Sequence, residues 1–118
     1  MIAEPRDFIG NILAKLINNR LENPLELERV KKWRMSVILE TDYYPISIIF
    51  EDQIGIEATT VDDPTLIFRM KFQTIVSIVK KETSILRALI HGSIRVKGII
   101  QHPRAAFRFY KLMNLILK

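Results

Sequence analysis

The segment TSILRALIHGSIRVKGIIQHPRAAFRFYKLMNLIL, Thr83–Leu117, is the most informative part of the sequence because it predicts a short helix, a strand and a long helix in direct succession. Gly92 and Gly98 bound the strand, in which the apolar residues Ile94 and Val96 alternate with polar ones. Alternation of this kind predicts a strand that buries only one of its faces.

The segment after Pro103 is a predicted helix over Arg104–Leu117, with Pro103 suited to its first turn. Nearly every position outside one narrow basic stripe is apolar, which is more apolar surface than the core of a small two-layer domain needs. We expect the surplus to face a lipid, a membrane or a partner protein. The stripe consists of Arg104, Arg108, Lys111 and Lys118, and the first three are our candidates for contact with a headgroup or membrane.

The chain upstream begins with helical spacing. Apolar residues recur every three or four positions over Asp7–Arg20, with Asp7 as N-cap, and Asn23-Pro24 then starts a second short helix. From Trp33 to Lys71 the period changes to two, which predicts four half-buried antiparallel strands arranged as a meander. Helical spacing returns over Phe72–Lys80 and Ser84–His91.

The closing segments RALIHGSIRVKG and AAFRFYKLMNLIL resemble the sterol carrier protein type 2 domain family. In that family a helix ends in Gly, a strand alternates apolar and basic residues, and a second Gly precedes an apolar C-terminal helix. The resemblance spans roughly residues 7 to 117. It departs from the family at Lys80-Lys81, where many members have Gly, and at Ile99-Ile100, where Asp or Asn is usual.

The resemblance implies an α+β domain over residues 1–118, with a five-stranded, mostly antiparallel sheet and one face covered by four to five helices. It also implies a hydrophobic tunnel between sheet and helices that binds a lipid without catalysis, such as a fatty acid, an acyl-CoA, an isoprenoid or a sterol. Some members resemble lipid-presenting factors of quinone biosynthesis. The residues that we expect to line the tunnel are large and apolar: Met35, Phe50, Phe68, Met70, Phe72, Ile75, Leu86, Leu89, Phe107, Leu112, Met113 and Ile116.

Composition narrows the functional classes. With 118 residues, 48% hydrophobic and 26% charged, the chain has the balance of one packed domain. It contains no cysteine, which favours a reducing cytoplasm, and no apolar run long enough for a membrane span, so any membrane contact would be peripheral. Residues 1–62 carry 7 basic and 11 acidic residues, net −4, whereas residues 63–118 carry 11 and 2, net +9. The basic half favours anionic headgroups, and a solvated surface is the plain alternative.

Motifs for catalysis, metals and cofactors are missing from the sequence. His91 and His102 lack partners at metal-ligand spacing, and the four glycines are too scattered to cradle a phosphate. We therefore expect no enzyme activity, no metal and no cofactor.

Two other functions compete with lipid binding. The apolar C-terminal helix is also suited to a protein-interaction module or a homodimer. Nucleic-acid binding through the basic half ranks third, because the aromatic residues are expected on apolar faces rather than among exposed cations.

Overall fold

A computed structural model describes residues 5–117. Its elements agree with the predicted helices and strands to within a residue or two at most boundaries. In chain order they are α1 (Phe8–Arg20), α2 (Pro24–Lys31), β1 (Met35–Glu40), β2 (Pro45–Phe50), β3 (Ile54–Glu57), β4 (Leu66–Met70), α3 (Phe72–Val79), α4 (Ile85–Ile90), β5 (Ile94–Lys97) and α5 (Pro103–Ile116).

The five strands form one mixed sheet in the order β3-β2-β1-β4-β5, with helices on one side. The predicted α+β class with a mostly antiparallel sheet is confirmed. The predicted meander is correct only as far as β3, because β4 lies on the other side of β1 and runs parallel to it, with Val37 opposite Leu66. The tight connections before and after β2 force neighbouring antiparallel strands, but the longer segment 58–65 allows the chain to cross the sheet.

Segment 58–65 covers part of the sheet face opposite the helices. Ser47 Oγ donates a hydrogen bond to the Thr59 carbonyl at 2.6 Å, and the Ser36 N–H donates to Thr65 Oγ1 at 3.1 Å. Ser47 is fully buried and Ile38 is only 4% exposed, although both project from this second face. Strands β1 and β2 are therefore buried on both faces at Ile38 and Ser47, whereas the sequence predicted that only one face would be buried.

The main core lies between the sheet and the helices. Phe50 of β2 and Phe109 of α5 are its largest side chains with no exposed surface. The inner face of α5 is apolar along its length, and its buried residues are Phe109, Leu112, Met113 and Ile116. Close packing here fixes the position of α5 relative to the sheet.

The loop between β1 and β2 anchors the starts of two helices. Asp7 caps α1 by accepting a hydrogen bond from the Gly10 N–H at 2.6 Å. Tyr44 Oη donates to Asp7 Oδ2 at 2.9 Å and accepts from the Ile9 N–H at 2.9 Å. Asp42 Oδ1 accepts from the Phe72 N–H at 2.8 Å, at the start of α3.

Replacing Tyr44 with Phe should lower the free energy of unfolding at neutral pH by about 1–2 kcal/mol, because the Ile9 N–H loses its acceptor. Burial raises the pKa of Tyr44 above its usual 10.0, and the hydrogen bond from Ile9 offsets part of this rise. The native state therefore holds the neutral phenol more tightly than the unfolded chain does. Its contribution is complete below the unfolded pKa and is lost as pH rises through the folded pKa.

Urea titrations of the wild type and Tyr44→Phe at several pH values would measure both effects. The difference between the two proteins should narrow at alkaline pH. If the difference in unfolding free energy stays constant as the pH rises above 10, the proposed role of the neutral hydroxyl is wrong.

Candidate functional site

An open groove of about 700 Å³ lies between the end of α1, α2 and α5. Its floor is apolar: Leu21, Val30 and Leu112 are buried, and Trp33 is half-buried. The exposed side chains of Leu25 and Leu115 extend the apolar surface toward solvent. The groove's volume and lining fall within the range of small-ligand sites in proteins.

The rim of the groove is positively charged. Its two carboxylates are engaged, since Glu26 lies 3.6 Å from Arg20 and Glu28 lies 3.5 Å from Lys31. Four other cations also line the groove, and within residues 5–117 none of them has a carboxylate oxygen within 4.0 Å. They are Arg29, Lys32, Arg108 and Lys111. An anionic group in the groove would therefore meet uncompensated positive charge.

A chain of aromatic rings connects this groove to the core. The Trp33 ring centroid lies 5.3 Å from that of Phe50. Phe50 is 6.2 Å from Phe109, which is in turn 5.0 Å from Phe68. Trp33 at the groove floor and the rings between sheet and helices therefore form one continuous set of aromatic contacts.

Ten of the twelve predicted tunnel residues lie at least half-buried on the helix-covered side of the sheet or in the helices that pack on it. Met35, Phe50, Phe68, Leu112, Met113 and Ile116 are buried, and Met70, Phe72, Ile75 and Leu89 are half-buried. Leu112 also lines the groove, together with the predicted headgroup residues Arg108 and Lys111. The structure therefore brings three of the predicted site residues together at one opening.

Leu86 and Phe107 were predicted to line the tunnel, but their side chains are 54% and 61% exposed and do not point into the core. Phe107 falls on the same helical stripe as Arg104 and Lys111, because it follows Arg104 by three residues and precedes Lys111 by four. Lys111 Nζ lies 5.6 Å from the Phe107 ring centroid, a cation–π distance. Arg104 is exposed on this stripe as predicted, and Lys118 lies outside the described residues.

Sequence reasoning missed the contribution of α2 and the residues after it. Arg29, Val30, Lys32 and Trp33 all line the groove. The run RVKKWR at positions 29–34 was the available signal, because it places four cations around the chain's single Trp. This run lies in the half of the chain with a net charge of −4, so the half-by-half charge count concealed it.

The described part of the chain gives no sign of a metal centre. Within residues 5–117 no three His, Cys, Asp or Glu side chains come together in a way that could hold an ion. His91 and His102 occupy the C-cap of α4 and the N-cap of α5. In the same residues, no helix is both long and apolar enough to cross a bilayer.

Comparisons with known proteins identify the fold. No protein-family model and no curated protein sequence matches this chain. Among solved structures, a protein described as UbiJ-SCP2 ubiquinone synthesis protein superposes with a TM-score of 0.64 at 16% identity, covering 88% of this chain and 87% of that one. The apo form of sterol carrier protein 2 from Yarrowia lipolytica gives 0.61 at 14% identity, covering 93% and 95%. The sterol carrier protein domain 2 of Helicoverpa armigera gives 0.59 at 16%, covering 93% and 94%.

The chain therefore has the fold of the sterol carrier protein type 2 domains, and the resemblance read from its sequence is confirmed at that level. The likeness extends over most of this chain and of each of the three structures. A shared fold does not by itself assign a function, so the ligand of this chain has to be argued from its own residues.

Replacing Phe109 with Ala should lower the free energy of unfolding by about 3–5 kcal/mol, because it removes a fully buried ring that contacts both Phe50 and Phe68. Phe107→Ala, two residues away on the exposed stripe, is the matched control and should cost less than about 1 kcal/mol. Urea denaturation of the lipid-free proteins would measure both. Equal losses would mean that Phe109 does not seat α5 on the sheet.

Proposed function

We propose that this protein binds and carries an amphiphilic lipid without catalysis. The observation that carries the proposal is the groove between α1, α2 and α5, which joins an apolar floor to a rim of unpaired cations. An acyl or isoprenoid chain needs such a floor, and an anionic headgroup needs such a rim. The shared sterol carrier fold supports the same class of ligand.

The lipid chain would lie on Leu21, Trp33 and Leu112 and extend toward the predicted tunnel between sheet and helices. Phe50 and Phe109 now fill the space beneath Trp33, so a long chain requires these rings to shift. Flexible methionines on the same side of the sheet, such as Met35 and Met113, tolerate repacking of this kind. Each methylene removed from water would contribute about 0.8 kcal/mol.

The headgroup would meet Arg108 and Lys111 on α5 and Arg29 and Lys32 across the groove. A carboxylate or phosphate forms hydrogen bonds there in which both partners are charged, whereas a sterol hydroxyl is neutral and gains no ion-pair attraction. A fatty acid or an acyl-CoA therefore suits the rim better than a sterol. The quinone-biosynthesis description of one structural neighbour keeps an isoprenoid lipid as a second ligand class.

We place the protein in the cytoplasm, which suits a chain without cysteine. We assign it no enzymatic reaction and no cofactor. Nucleic acid ranks below lipid as a partner, because the groove pairs its cations with an apolar floor rather than with a row of exposed aromatic rings.

An interaction module or homodimer built on α5 is the alternative function. The exposed ring of Phe107 favours it, since a large apolar side chain on a helix surface is a common feature of protein interfaces. A dimer of this kind would form without lipid and would dissociate in Phe107→Asp.

Titration with oleate, followed by the fluorescence of Trp33, tests the lipid proposal directly, because Trp33 is the only Trp in the chain and lines the groove. Wild-type protein should show a saturable change in emission. Arg108→Glu should weaken apparent binding roughly tenfold, since it replaces an attractive charge with a repulsive one at the headgroup.

Arg95→Glu on β5 is the matched control, with the same change of net charge on an exposed residue outside the groove lining. Its oleate affinity should stay close to that of the wild type. Equally weakened oleate binding in both variants would mean that only the net charge matters. If oleate leaves the Trp33 emission of the wild type unchanged, the groove is not the binding site.

A further inference from the structure

The loop between β5 and α5 holds two adjacent isoleucines out of the core. Ile99 is 45% exposed and Ile100 is 92% exposed. The loop is a defined turn, because the His102 N–H donates to the Gly98 carbonyl at 2.8 Å. Gly98 has φ +101°, and a Cβ there would collide with the Thr65 carbonyl oxygen, so the turn begins at a fixed place against β4.

The basic stripe of α5 continues from this loop. α5 begins at Pro103, three residues after Ile100, and its exposed residues start at once with Arg104 and continue with Phe107, Arg108 and Lys111. The sequence contains no Asp or Glu after Glu82. The surface thus combines an apolar tip, an exposed aromatic ring and a row of cations without any acidic residue from its own segment.

We propose that loop 98–102 and the exposed face of α5 dock this protein on an anionic membrane, with Ile99 and Ile100 inserted among the lipid chains. Each cation near an anionic membrane surface adds electrostatic attraction, and apolar side chains add the gain of leaving water. A nucleic acid would match the cations but offers no apolar phase to the isoleucines. A bilayer with anionic headgroups satisfies both parts of the surface.

This docking does not depend on the protein carrying a ligand, although the two functions share residues. Arg108 and Lys111 belong both to the docking face and to the rim of the groove. If the proposed lipid binding also holds, the groove opens beside the bilayer from which the lipid would be taken.

The first test is co-sedimentation with vesicles of phosphatidylcholine and phosphatidylglycerol, with pure phosphatidylcholine for comparison. Ile100→Ser should lower the partition coefficient on the anionic vesicles roughly tenfold. Tyr43→Ser is the matched control, because Tyr43 is 67% exposed in the loop at the opposite end of the sheet and should have no effect. Arg104→Glu should reduce binding to the anionic vesicles and make binding less sensitive to salt.

A second measurement detects insertion itself. Because the chain has no cysteine, Ile100→Cys and Tyr43→Cys can each carry one environment-sensitive dye. The dye at position 100 should shift to the blue when anionic vesicles are added, and the dye at position 43 should not. Equal shifts at both positions, or none at position 100, would overturn the proposal.

Other occupants of the surface give other results. If a second copy of the chain covers this surface, the wild type would sediment as a dimer and Ile100→Ser as a monomer. Neither protein would then bind vesicles. If nucleic acid is the partner, RNA would bind with steep salt dependence and Ile100→Ser would bind it as the wild type does, again without vesicle binding. Either pattern would overturn membrane docking.

Discussion

The contact of Phe109 with Phe50 and Phe68 is the interaction on which the arrangement of this protein depends. Ring centroids 6.2 and 5.0 Å apart hold the apolar face of α5 against the sheet. Since that face is committed to the core, the stripe from Arg104 to Lys111 must face solvent. The same placement brings α5 opposite α2 and leaves the groove between them.

The groove and the core therefore share side chains, and a change in one alters the packing of the other. Trp33 forms part of the groove floor and also contacts Phe50, so a ligand that moves Trp33 disturbs the rings that seat α5. With these rings in contact, a lipid chain can enter between sheet and helices only if the aromatic and methionine side chains repack. The free energy of burying a lipid chain would have to exceed the cost of that repacking.

Periodicity alone predicted most of the helices and strands, and local chemistry predicted several of their ends. Asp7 and Asn23 cap helices as expected, because a short polar side chain before an apolar repeat satisfies the first free N–H groups. The position of β4 was not predictable, since alternation looks the same in a strand whether its neighbour is parallel or antiparallel. Phe107 was misplaced because α5 is apolar on nearly all sides, so helical spacing did not distinguish its inner face.

The candidate site was predictable only in part, for a related reason. Arg108, Lys111 and Leu112 could be chosen from one helix, whereas Trp33 and Lys32 join them only through the tertiary fold. Arg108 and Lys111 also face the proposed membrane surface, so a bound headgroup and membrane phosphates would compete for the same two charges. Binding an anionic lipid would then weaken the hold of the membrane on the protein.

Native mass spectrometry of the gently purified protein, paired with mass analysis of its organic extract, would show whether the protein carries a lipid. We expect a stoichiometric lipid that co-purifies with the chain and carries an anionic headgroup. A measured mass equal to that of the polypeptide alone, together with no uptake of added oleate, would contradict lipid binding. The apolar and basic surface of α5 would then be assigned to protein partners.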